Sequence, residues 1–173
     1  SQYNLSFDAW VYSTQLEDVI YLAKQFPETS IVLDHLGTPA GLFGPIGANP
    51  GMTQTARENI LFRWKDDLAE LASCPNVYTK MSGLFMPVLG HRFHKEGRLA
   101  SKQEVFDLAH PMITHALACF GTYRVMFASN FPMDSVSTSL INIIDAFSDV
   151  VAAYDPDALE RVFHHNAKQF YRL

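Results

Sequence analysis

The sequence predicts an α/β fold built on a parallel sheet, and three observations carry that reading. Four short segments rich in β-branched and aromatic residues recur along the chain, at 5–12, 30–37, 77–84 and 124–131. Each is followed by a loop and then an amphipathic helical pattern, giving the order βαβαβαβα. The helix-to-strand connections are tight, at 27–29, Pro75-Asn76 and Thr122-Tyr123, whereas two strand-to-helix loops, 38–53 and 85–100, are long. Strands alternating with helices imply parallel pairing with right-handed crossovers, in an open doubly wound sheet or in a barrel.

Each helical pattern carries its own signals. Leu16, Val19, Ile20, Ala23 and Phe26 form the first apolar face, starting near Ser13 or Thr14 and stopping at Pro27. Ile60, Leu61, Trp64, Leu68 and Leu71 form the second, before Pro75. The third opens on a capping box, Ser101 with Glu104, and runs through Val105, Phe106, Ile113, Leu117 and Phe120 to a terminating Gly121, with Pro111 expected to kink or restart it. The fourth contains Leu140, Ile143, Ile144, Phe147 and Val151; Asp155-Pro156 then forms a cap and first-turn pair ahead of closing helix.

Composition bounds the function. The 173 residues are 48% hydrophobic with no low-complexity tract, as expected of one globular domain spanning 1–173. The net charge of −5, without a basic run, argues against nucleic acid or an anionic membrane surface and points to a small-molecule substrate. No apolar run approaches the ~20 residues that cross a bilayer. Cys74 and Cys119 are isolated, which indicates neither a zinc cage nor a disulfide framework and suits a cytoplasmic setting. Gly41, Gly44, Gly47 and Gly51 are too widely spaced for a phosphate loop.

Ligand sites of parallel α/β folds lie at the carboxyl ends of the strands, which directs attention to Tyr12, His35, Ser82, Asn130 and their loops. Alternation along the strands places Asp8, Trp10 and Tyr12, then Ile31, Leu33 and His35, then Tyr78, Lys80 and Ser82, then Ala128 and Asn130 on one side, expected to face a barrel interior. Asp8 and Lys80 should then meet as a pair. Asp34 falls in the other, apolar register and is expected to anchor a helix or loop outside.

The segments Phe26-Pro27, 31–37 (IVLDHLG) with Pro39, the Trp64 helix, 75–77 with 80–84, and Phe120-Gly121 through Phe131-Pro132 together resemble the amidohydrolase-related hydrolases that include sugar-lactone and 2-pyrone-4,6-dicarboxylate lactonases. The resemblance runs along essentially the whole chain. It implies the C-terminal half, about four βα units, of a (β/α)8 TIM barrel; such a barrel has ~250 residues, so a first half is expected upstream, and the absence of an initial Met agrees. It implies a hydrolase opening a lactone or related cyclic ester by attack of water on the carbonyl. A decarboxylase of the same superfamily, or an inactive half-barrel that self-associates through its open edges, are the alternatives. The cofactor it implies is one divalent metal ion, zinc or similar, in the complete enzyme, or none; His35 is the one matched candidate ligand.

By the same resemblance His35 matches a strand-end histidine that binds a substrate oxygen or a metal; the plainer alternative is a buried His satisfied by a backbone carbonyl. Asn130 stands where many relatives carry the Asp that activates water. An amide cannot be that base, although it can position a substrate or an oxyanion. Asp134 is the nearest carboxylate that could serve as general base instead, or else a helix cap or solvated loop acid. Tyr12 and Ser82 either orient substrate or form the wall. Phe85, Met86 and Pro87 make a pocket rim or pack a loop. His91, Arg92 and His94 either close over a negatively charged substrate or, more simply, are exposed loop charge. His164 and His165 read as helix-end residues.

Overall fold

The computed structural model describes residues 5–47 and 50–173; residues 1–4, and Ala48-Asn49 within the first long loop, lie outside it. Strands β1 (Phe7–Ala9), β2 (Ile31–Leu33), β3 (Val77–Met81) and β4 (Val125–Phe127) form one parallel sheet in the order β1-β2-β3-β4. Helices α1 (Leu16–Gln25), α2 (Gln54–Ala72), α3 (Lys102–Phe120) and α4 (Leu140–Tyr154) follow the strands in turn, and α5 (Asn166–Tyr171) closes the chain. A strand order that never reverses has no switch point, which separates this arrangement from a doubly wound sheet and makes it a barrel segment. Among the described residues β1 and β4 are its edges.

The registers Phe7↔Ile31↔Val77 and Thr79↔Val125 put Ala9, Ile31, Leu33, Val77, Met81 and Val125 into one core with the buried faces of α1 to α4. Trp64 and Phe147, both fully buried there, each contribute about 2–3 kcal/mol of transfer free energy. The opposite face carries Asp8, Val32, Tyr78, Lys80 and Met126; α5 lays Phe170 against Val32 and Met126 in a second, smaller cluster. Val32 is therefore on the inner face, while Ile31 and Leu33 pack under the helices. The second-strand parity expected from the sequence is corrected, because the chain leaves extended geometry before His35.

The cap and stop signals hold, although Phe26, expected on the first apolar face, follows the end of α1 and is exposed. Ser13–Gln15 forms a 3-10 turn leading into α1, and Thr53 Oγ1 accepts from the Ala56 amide at the start of α2. The Ser101–Glu104 box is formed in both directions, and Gly121 terminates α3 at φ +70°. Pro111 does not restart the helix: α3 runs unbroken through it from Lys102 to Phe120. An interior Pro costs about 3 kcal/mol, and burial of Ala109, Met112, Ile113, Ala116 and Leu117 along the same helix offsets it.

At the helix-to-strand end a repeated device explains the tight connections. Asn76 Nδ2 donates to the carbonyls of Ala23, Phe26 and Thr29; Arg124 donates to those of Ala72, Cys74 and Val77; Asn166 Nδ2 donates to those of Thr122 and Val125. Each later unit satisfies carbonyls freed where an earlier helix or turn ends. At the other end the two long loops are stitched together, Gly41 N to Val88 O and Phe43 N to Leu89 O, with Gly44 backed so closely on Gly90 that a Cβ would stand 2.6 Å from its carbonyl oxygen.

Candidate active site

After β2 the backbone turns left-handed at His35 (φ 55°), Leu36 (φ 51°), Gly37 and Thr38. Non-glycine residues adopt this conformation at a cost, so neighbours must hold it. Trp64 Nε1, from α2, donates to the Leu36 carbonyl at 2.7 Å in a fully buried contact, Thr38 N closes back on the His35 carbonyl, and Trp10 Nε1 donates to Thr38 Oγ1 at 3.2 Å. The turn delivers the His35 ring to β3, where Nδ1 and Ser82 Oγ lie 2.7 Å apart. Gly83 (φ +64°) makes room: a Cβ there would stand 2.6 Å from His35 Cγ. Trp10 meets the imidazole edge-on at 6.2 Å between ring centroids. Burial pushes the His35 pKa below its ordinary value; Asp34 opposes that shift and Lys80 adds to it.

A second pair lies past the neighbouring strand. Asn130 is also left-handed (φ 54°), and its Nδ2 donates to Asp134 Oδ1 at 2.9 Å across a cis Phe131-Pro132 bond. Asp134 is fully buried within a short 3-10 turn, Met133–Val136. Burial pushes its carboxyl up to about 7, although the Asn130 amide and the Phe85 backbone amide both pull it down. It is therefore not a solvated loop acid.

Of the strand-end residues picked from sequence, the fold brings His35 to Ser82 and Asn130 to Asp134. Tyr12 is half-exposed, and among the described residues no hydrogen bond or ring contact joins its side chain to either pair. His35 is satisfied by a serine hydroxyl, not by a backbone carbonyl. Asp34 is corrected outright: it faces inward, its Oδ1 2.8 Å from Lys80 Nζ, while Lys80 also donates to Asp8 Oδ2 at 2.7 Å and the Tyr171 hydroxyl donates to the same Asp8 oxygen. Burial alone would lower the Lys80 pKa; these contacts reverse that and hold it above its ordinary value. His91 is corrected too. It is buried, stacked on Phe43 at 4.4 Å and on Phe85 at 5.1 Å, with Nε2 2.6 Å from the Leu84 carbonyl, and burial drives its pKa down to about 4. Phe85 and Met86 are likewise packed inside.

Sequence reasoning missed the support around His35. Trp64 reads as one more apolar position of a helix face, and Gly83 as part of a short motif; neither signals a carbonyl clamp or a cradle for a ring.

Residues 2–173 match the profile of the amidohydrolase family. The chain belongs to the amidohydrolase family. This amidohydrolase chain is 31% identical over 169 residues to the uncharacterized protein y4mH of Sinorhizobium fredii, covering 98% of the chain and 48% of that protein. It is 27% identical over 177 residues to an L-fucono-1,5-lactonase of Burkholderia ambifaria, covering 99% of the chain and 51% of the lactonase. A crystal structure of a Burkholderia multivorans amidohydrolase with bound zinc superposes with a TM-score of 0.79 at 22% identity, over 99% of this chain and 54% of that one. The amidohydrolase chain thus spans about half the length of these relatives, as a (β/α)8 barrel segment of four strand-helix units.

One relative holds zinc, so the fit of this chain to a metal matters. Among the described residues no group of three or more His, Cys, Asp or Glu side chains is placed to hold a metal ion. His35 stands with a serine and an indole, so these residues do not form a metal site by themselves, and no step below runs through one. No helix of the described residues is long and apolar enough to cross a membrane.

Proposed function

We propose that the protein containing this chain is a hydrolase that opens a lactone or related cyclic ester, with His35 and Asn130 contacting substrate and Asp134 receiving the proton of the attacking water. The observation that carries this reading is the His35–Ser82 pair, set at a strand end by a left-handed turn and an otherwise vacant Gly83 face. A Ser82 hydroxyl donating to Nδ1 fixes the tautomer in which Nε2 carries the proton. Nε2 has no partner among the described residues and is free to donate to a lactone carbonyl. Since burial keeps the ring neutral near pH 7, it polarises the carbonyl as a hydrogen-bond donor.

Asn130 gives one N–H to Asp134, leaving its second N–H and its carbonyl to position substrate or water. Asp134, with a pKa of about 7, suits proton transfer at neutral pH. Water adds to the carbonyl carbon, the ring C–O bond breaks, and the proton removed from water ends on the departing ring oxygen, giving a hydroxy acid. The family, and the lactonase names of two relatives from Burkholderia, support this chemistry. The test uses the full-length protein with L-fucono-1,5-lactone and a 2-pyrone dicarboxylate, following acid release. Ring opening lost in His35→Ala is the expected result. Release of carbon dioxide without ring opening, or full turnover in His35→Ala, would overturn it.

A further inference from the structure

Between the two stitched loops lies an open cavity of about 370 Å³ whose walls include Ile46, Val88, His91 and His94 and whose cationic groups are Arg92 and Lys95. Its rim is held firmly. His91 and Phe93 are buried, one in the aromatic stack and the other beneath Arg98, and four backbone hydrogen bonds close the turn from Arg92 to Arg98. With alternate residues anchored inward, Arg92, His94 and Lys95 are left exposed at the cavity.

The local carboxylates are already engaged. Arg98 takes both Glu96 and Glu104, the latter through two parallel bonds of 3.0 and 2.8 Å. None of Arg92, His94 and Lys95 has a side-chain partner among the described residues. Lys24, Lys80 and Lys102 are each paired with a carboxylate, whereas Arg92 and Lys95 line a concave site with no carboxylate partner among the described residues. A guanidinium fork beside a flexible ammonium matches the oxygens of a carboxylate or a phosphate.

We propose that this cavity is an anion subsite that takes the carboxylate or phosphate group of a small molecule, at the same end of the sheet as His35 but built from other residues. The site does not depend on the ring-opening chemistry proposed above. Its ligand is either an acidic group on the substrate or a free anion.

The experiment titrates inorganic phosphate into the full-length protein by calorimetry, for the parent and for an Arg92→Gln, Lys95→Gln double variant. Both residues are exposed, so the variant should fold, and an unchanged circular dichroism melt checks this. Phosphate binding at least tenfold weaker in the variant, and weakening further with added salt, is expected. No binding to the parent, or equal binding to both, overturns the subsite. The source of the anion is read separately. If the variant raises the KM ratio of an acidic to a neutral lactone at least tenfold, the anion belongs to substrate. If the ratio holds while phosphate binding is lost, it is a free anion. A parent inactive on both lactones removes the ring-opening reading and leaves the phosphate titration to decide the subsite.

Discussion

The ring of His35 occupies the space that a side chain at Gly83 would fill: a Cβ at that glycine would lie 2.6 Å from His35 Cγ and 2.8 Å from Nδ1. Since Nδ1 is the atom that meets Ser82, displacement of the ring also breaks the contact that sets its tautomer. Gly83→Ala should lower kcat/KM at least a hundredfold. Gly121→Ala is the control, with a similar φ of +70° and nothing within 4 Å of the added carbon; it should cost about 1–3 kcal/mol of stability and leave kcat/KM within twofold. Comparable activities for the two variants would show that the cradle does not matter.

Lys80 should be far harder to replace than Lys24. Its ammonium sits between Asp8 and Asp34 at 16% side-chain exposure, and its removal leaves two carboxylates facing each other. Lys24 makes a single pair with Glu70 at 52% exposure. Urea unfolding of the full-length protein should show Lys80→Ala destabilised by about 2–3 kcal/mol, discounted from a fully buried pair for residual solvent, and no resolvable change in the midpoint for Lys24→Ala. Equal losses would contradict the inward placement of Lys80.

Asp134 links stability and activity to pH in opposite senses. Its pKa is raised from an ordinary 3.8 to about 7, so between those values the folded state keeps a proton that the unfolded chain has released. Stability contributed by this group therefore falls as pH rises through that window. Asp134→Asn should be more stable than the parent by about 1–3 kcal/mol at pH 8 and nearly equal to it at pH 4. Turnover should rise through an acid limb near pH 7 in the parent, and the limb should vanish with most of the activity in Asp134→Asn. A limb that persists in the variant would move the base role elsewhere.

His91 has the reverse linkage. Held neutral down to about pH 4 when folded, it takes up a proton near pH 6.5 when unfolded, so stability is lost as pH falls from 6.5 toward 4. His91→Phe keeps an aromatic ring in the stack between Phe43 and Phe85 but leaves the Leu84 carbonyl unpaired. It should cost about 1 kcal/mol at pH 7.5 and remove much of the acid sensitivity, as measured by melting temperature at both pH values. A parent whose stability is flat between pH 4 and 6.5 would rule this out.

The helices were legible because caps and apolar periodicity are local, as the Ser101–Glu104 box and Gly121 show. The Asp8–Lys80 pair was legible because charges on strands flanked by apolar neighbours stand out. The inward turn of Asp34 was not. Counting parity back from His35 assumes extended backbone up to that residue, whereas His35 and Leu36 are left-handed, so the count shifts by one and misplaces Ile31, Val32 and Asp34 together. The burial of His91 was hidden for another reason: its partners Phe43 and Phe85 come from two loops, and no sequence periodicity links residues in separate loops.

The Tyr171 hydroxyl and the Asp8 carboxylate meet across 163 positions of sequence. At about 5–20 residues per second of synthesis, roughly 10–30 s separate the emergence of these two partners from the ribosome. During that interval the Asp8–Lys80–Asp34 bridge can hold β1 in register once β3 is made, but the aromatic cover of α5 cannot yet shield the inner face. The inner face of the sheet is therefore completed only at the end of synthesis, when α5 docks Phe170 against Val32 and Met126.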